Sequence, residues 1–213
     1  MDFEPYNPLD ERNLGASVAE ALLERDPVSI AALPVFEGSG IYAIYYTGGF
    51  PTYTAFAERN RENRFEWPIY VGKAEGGRTR KGISDLSAKV GTALYSRLRE
   101  HRDTINLVTN LSVSDFYCRA LVVKDIWVPL GEALLLAKFS PIWNRILDGF
   151  GNHDPGSGRY NGQCPRWDIL HPGRAWAVKC KPSIYTPQQL DNELRAYLHG
   201  AVIPAKPRFL APS

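Results

Sequence analysis

Cysteine is scarce in this chain, and long apolar runs are missing. The three cysteines, Cys118, Cys164 and Cys180, are odd in number and widely spaced. This pattern excludes a disulfide framework and argues against a structural zinc site. The sequence has no apolar run near the roughly 20 residues of a membrane-spanning helix. Its acidic first residues lack the apolar core of a signal peptide. We therefore expect a cytoplasmic protein with no membrane partner.

A strong overall charge is also missing, but positive charge is concentrated locally. The formal net charge is +2 over 213 residues, a length that fits one domain spanning residues 1–213. Residues 59–102 contain eleven basic and five acidic side chains, so this segment alone carries six positive charges in excess. Charge alone fits a solvated surface and a phosphate-binding face equally well.

Two predicted strands each carry a tyrosine. Residues 41–46 and 67–72 are rich in β-branched and aromatic side chains, and they contain Tyr42 and Tyr70. The polar residues 47–67 between them are typical of an insertion joining two paired strands. The tyrosines are either half-buried strand aromatics or a pair of phenols with a chemical role.

A helix predicted over residues 87–106 places Arg97 and His101 on one face, four residues apart. The guanidinium could bind a phosphate, and the imidazole could donate to the same group or transfer a proton. The alternative is a surface arginine beside a packed histidine. Spacing alone does not separate the two interpretations.

Glu132 is predicted in the first turn of a helix that Pro129 begins and Phe139 ends. The carboxylate either complements the helix dipole or binds Mg²⁺ together with water and phosphate oxygens. Asn144, after a further proline, is either a helix cap or a site residue.

Taken in order, these residues resemble the GIY-YIG nuclease superfamily. The resemblance rests on Gly40-Ile41-Tyr42, Tyr70-Val71-Gly72, Arg97, His101, Glu132 and Asn144. Residues 148–153 and 167–174 are similar to the branch formed by type II restriction endonucleases, and in that branch the resemblance spans nearly the whole chain. Two departures are Val71 in place of isoleucine and His101 where many members have tyrosine.

The resemblance implies an α+β fold, with a small antiparallel sheet flanked by helices. Its core would be residues 38–147, with an insertion at 47–67 and a C-terminal extension at 148–213 for recognition and dimerisation. The implied activity is Mg²⁺-dependent hydrolysis of double-stranded DNA by a homodimer, at a GC-rich palindrome such as CCGCGG. A cognate DNA methyltransferase would be the genetic partner.

The resemblance also implies roles for single residues. Glu132 would bind the metal, and Arg97 would stabilise the charge that develops on the phosphate. Tyr42 would be the base, its pKa lowered from near 10 by Lys73, Arg97 and the metal.

Three roles are less defined. His101 would accept the proton of Tyr42 or orient the water. Tyr70 would position phosphate or water, and Asn144 would fix a tyrosine hydroxyl.

Several basic side chains are candidates for contacts to guanine edges. They are Arg59, Arg61, Arg64, Arg78, Arg80, Lys81 and Arg159. Two alternatives remain open: a repair or homing nuclease of the same superfamily, which would usually carry a separate DNA-binding domain, and an inactive DNA-binding protein of the same fold.

Overall fold

A computed structural model describes residues 7, 9–76, 91–156 and 160–200. Arg78, Arg80, Lys81 and Arg159, all predicted DNA contacts, lie outside these residues.

A four-stranded antiparallel sheet forms the centre of the fold. Its strands are β1 (Val28–Ser29), β2 (Gly40–Tyr46), β3 (Tyr70–Ala74) and β4 (Phe116–Val122), in the spatial order β1-β4-β2-β3. All seven residues of β2 are buried, because helices and loops cover both faces of the sheet. The predicted α+β fold with a small antiparallel sheet is therefore confirmed.

Strand β3 begins three residues later than predicted. The side chain of Asn60 accepts a hydrogen bond from the backbone N–H of Trp67 (2.9 Å) and donates one to the carbonyl of the same residue (2.9 Å). Pro68 has no N–H to offer a neighbouring strand. The side chain of Asn60 therefore satisfies the backbone groups of Trp67, and β3 begins only after Pro68.

Seven α-helices surround the sheet in the described ranges. They are α1 (Glu11–Leu23), α2 (Thr54–Asn60), α3 (Ala93–Leu107), α4 (Val128–Phe139), α5 (Ile142–Arg145), α6 (Arg166–Leu170) and α7 (Pro187–Gly200). Thr186 and Gln189 form a capping box at the start of α7, with Thr186 N–H donating to Oε1 of Gln189 at 2.8 Å. Within these ranges, every helix is too short or too polar to cross a membrane.

The insertion between β2 and β3 contributes to the core as well as to the surface. It contains α2, and its inner face buries Tyr53, Phe56 and Trp67. The rings of Phe56 and Trp67 stack with centroids 4.1 Å apart. Any recognition role of this insertion therefore falls to its outer face.

Candidate active site

The two motif tyrosines meet on one face of neighbouring strands. The register pairs Tyr42 with Gly72 and Ile44 with Tyr70, so the phenols are diagonal neighbours with ring centroids 6.1 Å apart. Gly72 makes this possible, since a Cβ at that position would lie 2.4 Å from the Tyr42 hydroxyl. The glycine of the second motif is thus required by the space that the first tyrosine occupies.

His101 lies directly behind Tyr42. Its Nε2 atom is 2.6 Å from the Tyr42 hydroxyl, and its ring stacks on Phe150 at 4.5 Å with an interplanar angle of 13°. The side chain is buried, which lowers its pKa well below the usual value, and the nearby charge of Arg97 lowers it further. A neutral imidazole sealed behind Tyr42 is placed to accept a proton from that tyrosine rather than to contact a phosphate.

The Tyr42 hydroxyl is harder to ionise than expected. Burial raises its pKa well above the ordinary value, and the neighbouring Tyr70 adds to the rise, whereas Arg97 opposes it. Lys73 directs its ammonium elsewhere, to Glu132 and Glu75. Among the described side chains, burial outweighs the cations that were predicted to acidify Tyr42.

Arg97 is the half-buried cation of the site. Its guanidinium donates to the carbonyl of Gly151 (2.9 Å), to Nε2 of His153 (2.8 Å) and to Glu100 (3.1 Å). Its positive charge also opposes the burial effect on the pKa of Tyr70. The arginine therefore reaches both tyrosines from α3 while a loop holds its far side.

Glu132 lies in the second turn of α4, not in the first turn as predicted, because the helix already begins at Val128. A dipole role at the helix start is correspondingly weak. Its carboxylate is 3.3 Å from the Lys73 ammonium on β3, and its side chain is 20% exposed. Burial raises its pKa, and Lys73 opposes that rise.

The described residues contain no cluster of three or more His, Cys, Asp or Glu side chains suited to a metal. One accessible carboxylate nevertheless fits Mg²⁺, which retains several waters and takes its remaining ligands from substrate phosphate. Glu132 is the residue that would hold such an ion, and it is near enough to Tyr70 for its negative charge to raise the pKa of that phenol.

Asn144 supports a strand and does not bind a tyrosine hydroxyl. Its Oδ1 accepts from the N–H of Val71 at 2.9 Å, and its Nδ2 donates to the carbonyl of Val71 at 2.8 Å. The predicted contact with a phenol is therefore wrong. A side-chain amide instead takes the place of a neighbouring strand at the free edge of β3.

The basic side chains of the insertion bind parts of the chain itself. Arg61 donates to the carbonyls of Thr47 and Gly48, Arg64 donates to the carbonyl of Arg61, and Arg59 forms an ion pair with Glu66 at 3.5 Å. These contacts use part of the hydrogen-bonding capacity of each guanidinium.

The sequence indicates a functional loop at residues 148–166, but it does not predict what Phe150, Gly151 and His153 contact. The signals for this loop were its glycines together with its aromatic and basic side chains. The contacts of this loop with Arg97 and His101 arise from tertiary packing. The spacing of residues along the chain does not predict such contacts.

An antiparallel sheet with two facing tyrosines, a helix-borne arginine and histidine, and a carboxylate on the next helix defines a nuclease of the GIY-YIG type. The family model described as the Eco29kI GIY-YIG domain matches residues 34–198. The chain belongs to this family of restriction-type GIY-YIG nucleases. A comparison with curated protein sequences gave no match.

Proposed function

We propose that the protein is a type II restriction endonuclease, which hydrolyses phosphodiester bonds in double-stranded DNA at a specific site with the help of Mg²⁺. The proposal depends above all on the contact between Tyr42 and His101, a phenol 2.6 Å from a neutral imidazole, beside a half-buried arginine. A similar buried contact joins Tyr53 to His171 (2.6 Å), and the Tyr42 contact differs from it in having Arg97 beside both tyrosines of the site.

The tyrosines and the histidine form a relay for the proton of the attacking water. Tyr70 is half-buried, whereas Tyr42 and His101 are closed to solvent, so water meets the relay at Tyr70. Burial raises the pKa of Tyr70, whereas the charge of Arg97 and the neighbouring Tyr42 lower it. As the attacking water gives a proton to Tyr70 and becomes hydroxide, Tyr70 passes its own proton to Tyr42, and Tyr42 passes its own to Nε2 of His101.

This relay reconciles the high pKa of Tyr42 with a role in catalysis. A concerted transfer leaves Tyr42 neutral before and after the step, so a stable phenolate need not form. His101 takes the proton only during the step itself, because burial and the charge of Arg97 keep the pKa of its imidazole well below the usual value. Tyr42 and His101 therefore act together as the base that the sequence assigned to Tyr42.

Charge on the phosphate is balanced from two sides. Arg97 faces the tyrosine pair and would donate to a non-bridging oxygen of the scissile phosphate as its charge rises. Glu132 would hold the metal. Lys73, which pairs with Glu132 in the free protein, would then move away from this carboxylate or towards the phosphate. When bound, Mg²⁺ supplies Lewis-acid stabilisation of the phosphate and of the departing 3′ oxygen.

A palindromic target is the expected substrate. A two-fold symmetric dimer places one active site on each strand of a palindrome. The family relationship supports CCGCGG as the first sequence to test, with a cognate methyltransferase protecting host DNA. The basic side chains predicted to read guanine remain candidates for these contacts.

Purified protein incubated with plasmid DNA and Mg²⁺ tests the proposal directly. We expect discrete fragments, and sequencing of their ends gives the recognition site. Glu132→Ala should abolish cutting, whereas DNA binding, measured by gel shift, should persist. Glu58→Ala, which removes an exposed carboxylate from the insertion, is the matched control and should cut normally.

Three results would contradict the proposal. Wild-type protein that binds DNA and cuts none would favour an inactive DNA-binding protein. Random nicking or cutting only at branched structures would favour a repair or homing nuclease. Cleavage by Glu132→Ala at the wild-type rate would exclude this carboxylate as the metal ligand.

A further inference from the structure

A buried ion pair outside the tyrosine site organises the loop formed by residues 149–153. The Arg174 guanidinium pairs with both carboxylate oxygens of Asp168, with Nε donating to Oδ1 at 2.5 Å, and the two side chains are 2% and 1% exposed. The guanidinium lies between two indoles, 4.8 Å from the ring of Trp167 and 4.7 Å from that of Trp176. Its position is therefore fixed on all sides.

Arg174 uses its remaining N–H groups to hold the backbone of the loop. It donates to the carbonyls of Gly149 (2.8 Å), Asn152 (2.9 Å) and Phe150 (3.3 Å). Gly149 has φ of +105°, a conformation that favours glycine, and a Cβ there would lie 2.3 Å from Pro165. One side chain thus holds three successive parts of a tight turn.

The opposite side of the same loop contacts the candidate catalytic residues. The carbonyl of Gly151 and the imidazole of His153 accept hydrogen bonds from Arg97, at 2.9 and 2.8 Å. Phe150 stacks on His101. A Cβ on Gly151 would lie 2.8 Å from the Arg97 guanidinium and 2.9 Å from the Tyr70 hydroxyl.

We propose that Arg174, Asp168 and the loop 149–153 are positioning elements of the active site. The loop fixes the guanidinium of Arg97 through Gly151 and His153, and it fixes the imidazole of His101 through Phe150. Arg174 acts on both through the backbone. This proposal rests on the proposed nuclease function for its kinetic consequences, whereas its geometric consequences can be measured in the free protein.

Gly151→Ala is the sharpest test, because the added methyl group meets only the movable ends of Arg97 and Tyr70 at close range. The protein should fold, and the single-turnover cleavage rate should fall about 100-fold, the effect of a misplacement near 1 Å. DNA affinity should change little, since the lost interaction belongs to the transition state. Gly49→Ala, where a Cβ meets open space, is the matched control and should cut at the wild-type rate.

Arg174→Lys tests the link to the ion pair. Lysine keeps the charge beside Asp168 but cannot hold three carbonyls, so the cleavage rate should fall while KM for DNA stays nearly constant. His153→Ala removes one contact to Arg97 at an exposed position, without risk to the core, and should lower the rate less than Gly151→Ala does.

Spectra of free protein separate this proposal from the proposed function. In ¹⁵N-labelled wild type, we expect a slowly rotating Arg97 guanidinium and ring-current-shifted His101 imidazole signals. In Gly151→Ala, the Arg97 guanidinium should rotate faster. In Arg174→Lys, if this variant folds, the Arg97 guanidinium should also rotate faster, and the His101 signals should lose their ring-current shift. Unchanged Arg97 signals in Gly151→Ala would overturn the positioning role even if the wild type cut no DNA. If these spectral changes occur in the variants but the wild type cuts no DNA, the positioning role is supported and the proposed nuclease function is rejected.

Discussion

The hydroxyl of Tyr42 lies 2.6 Å from Nε2 of His101, in a contact that solvent does not reach. Burial disfavours the charged form of each group, raising the pKa of the phenol and lowering that of the imidazole. In the resting protein both partners are therefore neutral. In the proposed mechanism, a proton moves between them while the attacking hydroxide forms.

Tyr42→Phe should remove the middle of the proton relay. We expect the single-turnover rate to fall by about 100-fold to 10,000-fold, the usual contribution of general acid–base catalysis, with little change in DNA affinity. Tyr45→Phe is the matched control, because this residue lies on the opposite face of the same strand and is equally buried. An unchanged rate in Tyr42→Phe would transfer the role of base to His101 or Lys73.

The stability of the protein should fall as the pH is lowered below about 6.5. Burial lowers the pKa of His101 well below its usual value and that of His171 to about 3. As the pH falls, both histidines therefore become protonated in the unfolded chain while they stay neutral in the folded chain. His171 should remove roughly 2 kcal/mol from the free energy of unfolding between pH 7 and pH 5, and His101 should add to this loss.

Urea unfolding at several pH values measures this effect. His171 bonds to Tyr53 and Asn110, at 2.6 and 2.9 Å, so His171→Gln should lower stability at neutral pH and reduce the dependence of stability on pH. A wild-type free energy of unfolding that stays constant from pH 7 to pH 5 would contradict the prediction.

Sequence reasoning predicted those features that depend on local pattern. The alternation of β-branched and aromatic residues predicted β2, and the positions of Thr186, Pro187 and Gln189 predicted the start of α7. The motif order predicted that Tyr42, Tyr70, Arg97 and His101 come together, as the structure has them.

The remaining features depend on tertiary contacts. The role of Asn144 was predicted wrongly because an amide binds a phenol or a backbone equally well, and only the position of β3 decides between them. The acidification of Tyr42 was predicted from nearby cations, but burial on both faces of the sheet has the larger effect on its pKa. The Arg174 contacts could not be predicted, since no local pattern relates position 174 to position 97.

Gly72→Ala should damage the site without removing any functional group. A Cβ at this position would lie 2.4 Å from the hydroxyl of Tyr42, which His101 and the strand hold in place. We expect a loss of about 1–3 kcal/mol in the free energy of unfolding, typical of overpacking, and a strongly reduced cleavage rate. Thermal unfolding and single-turnover assays measure the two effects. Full activity would show that the phenol moves freely.

Asn144→Ala should loosen the edge strand that carries Tyr70 and Lys73. Both backbone groups of Val71 lose their partner, at a cost of about 1–3 kcal/mol for a buried group left unsatisfied. Hydrogen exchange at the Val71 amide should accelerate, and the cleavage rate should fall because Tyr70 and Lys73 are no longer held in register.

Asn110→Ala is the control: Asn110 also binds a backbone carbonyl, that of Leu170, but it lies away from β3. It should lower stability and leave the cleavage rate per folded molecule unchanged, whereas equal losses of rate in both variants would mean that Asn144 acts through general stability alone.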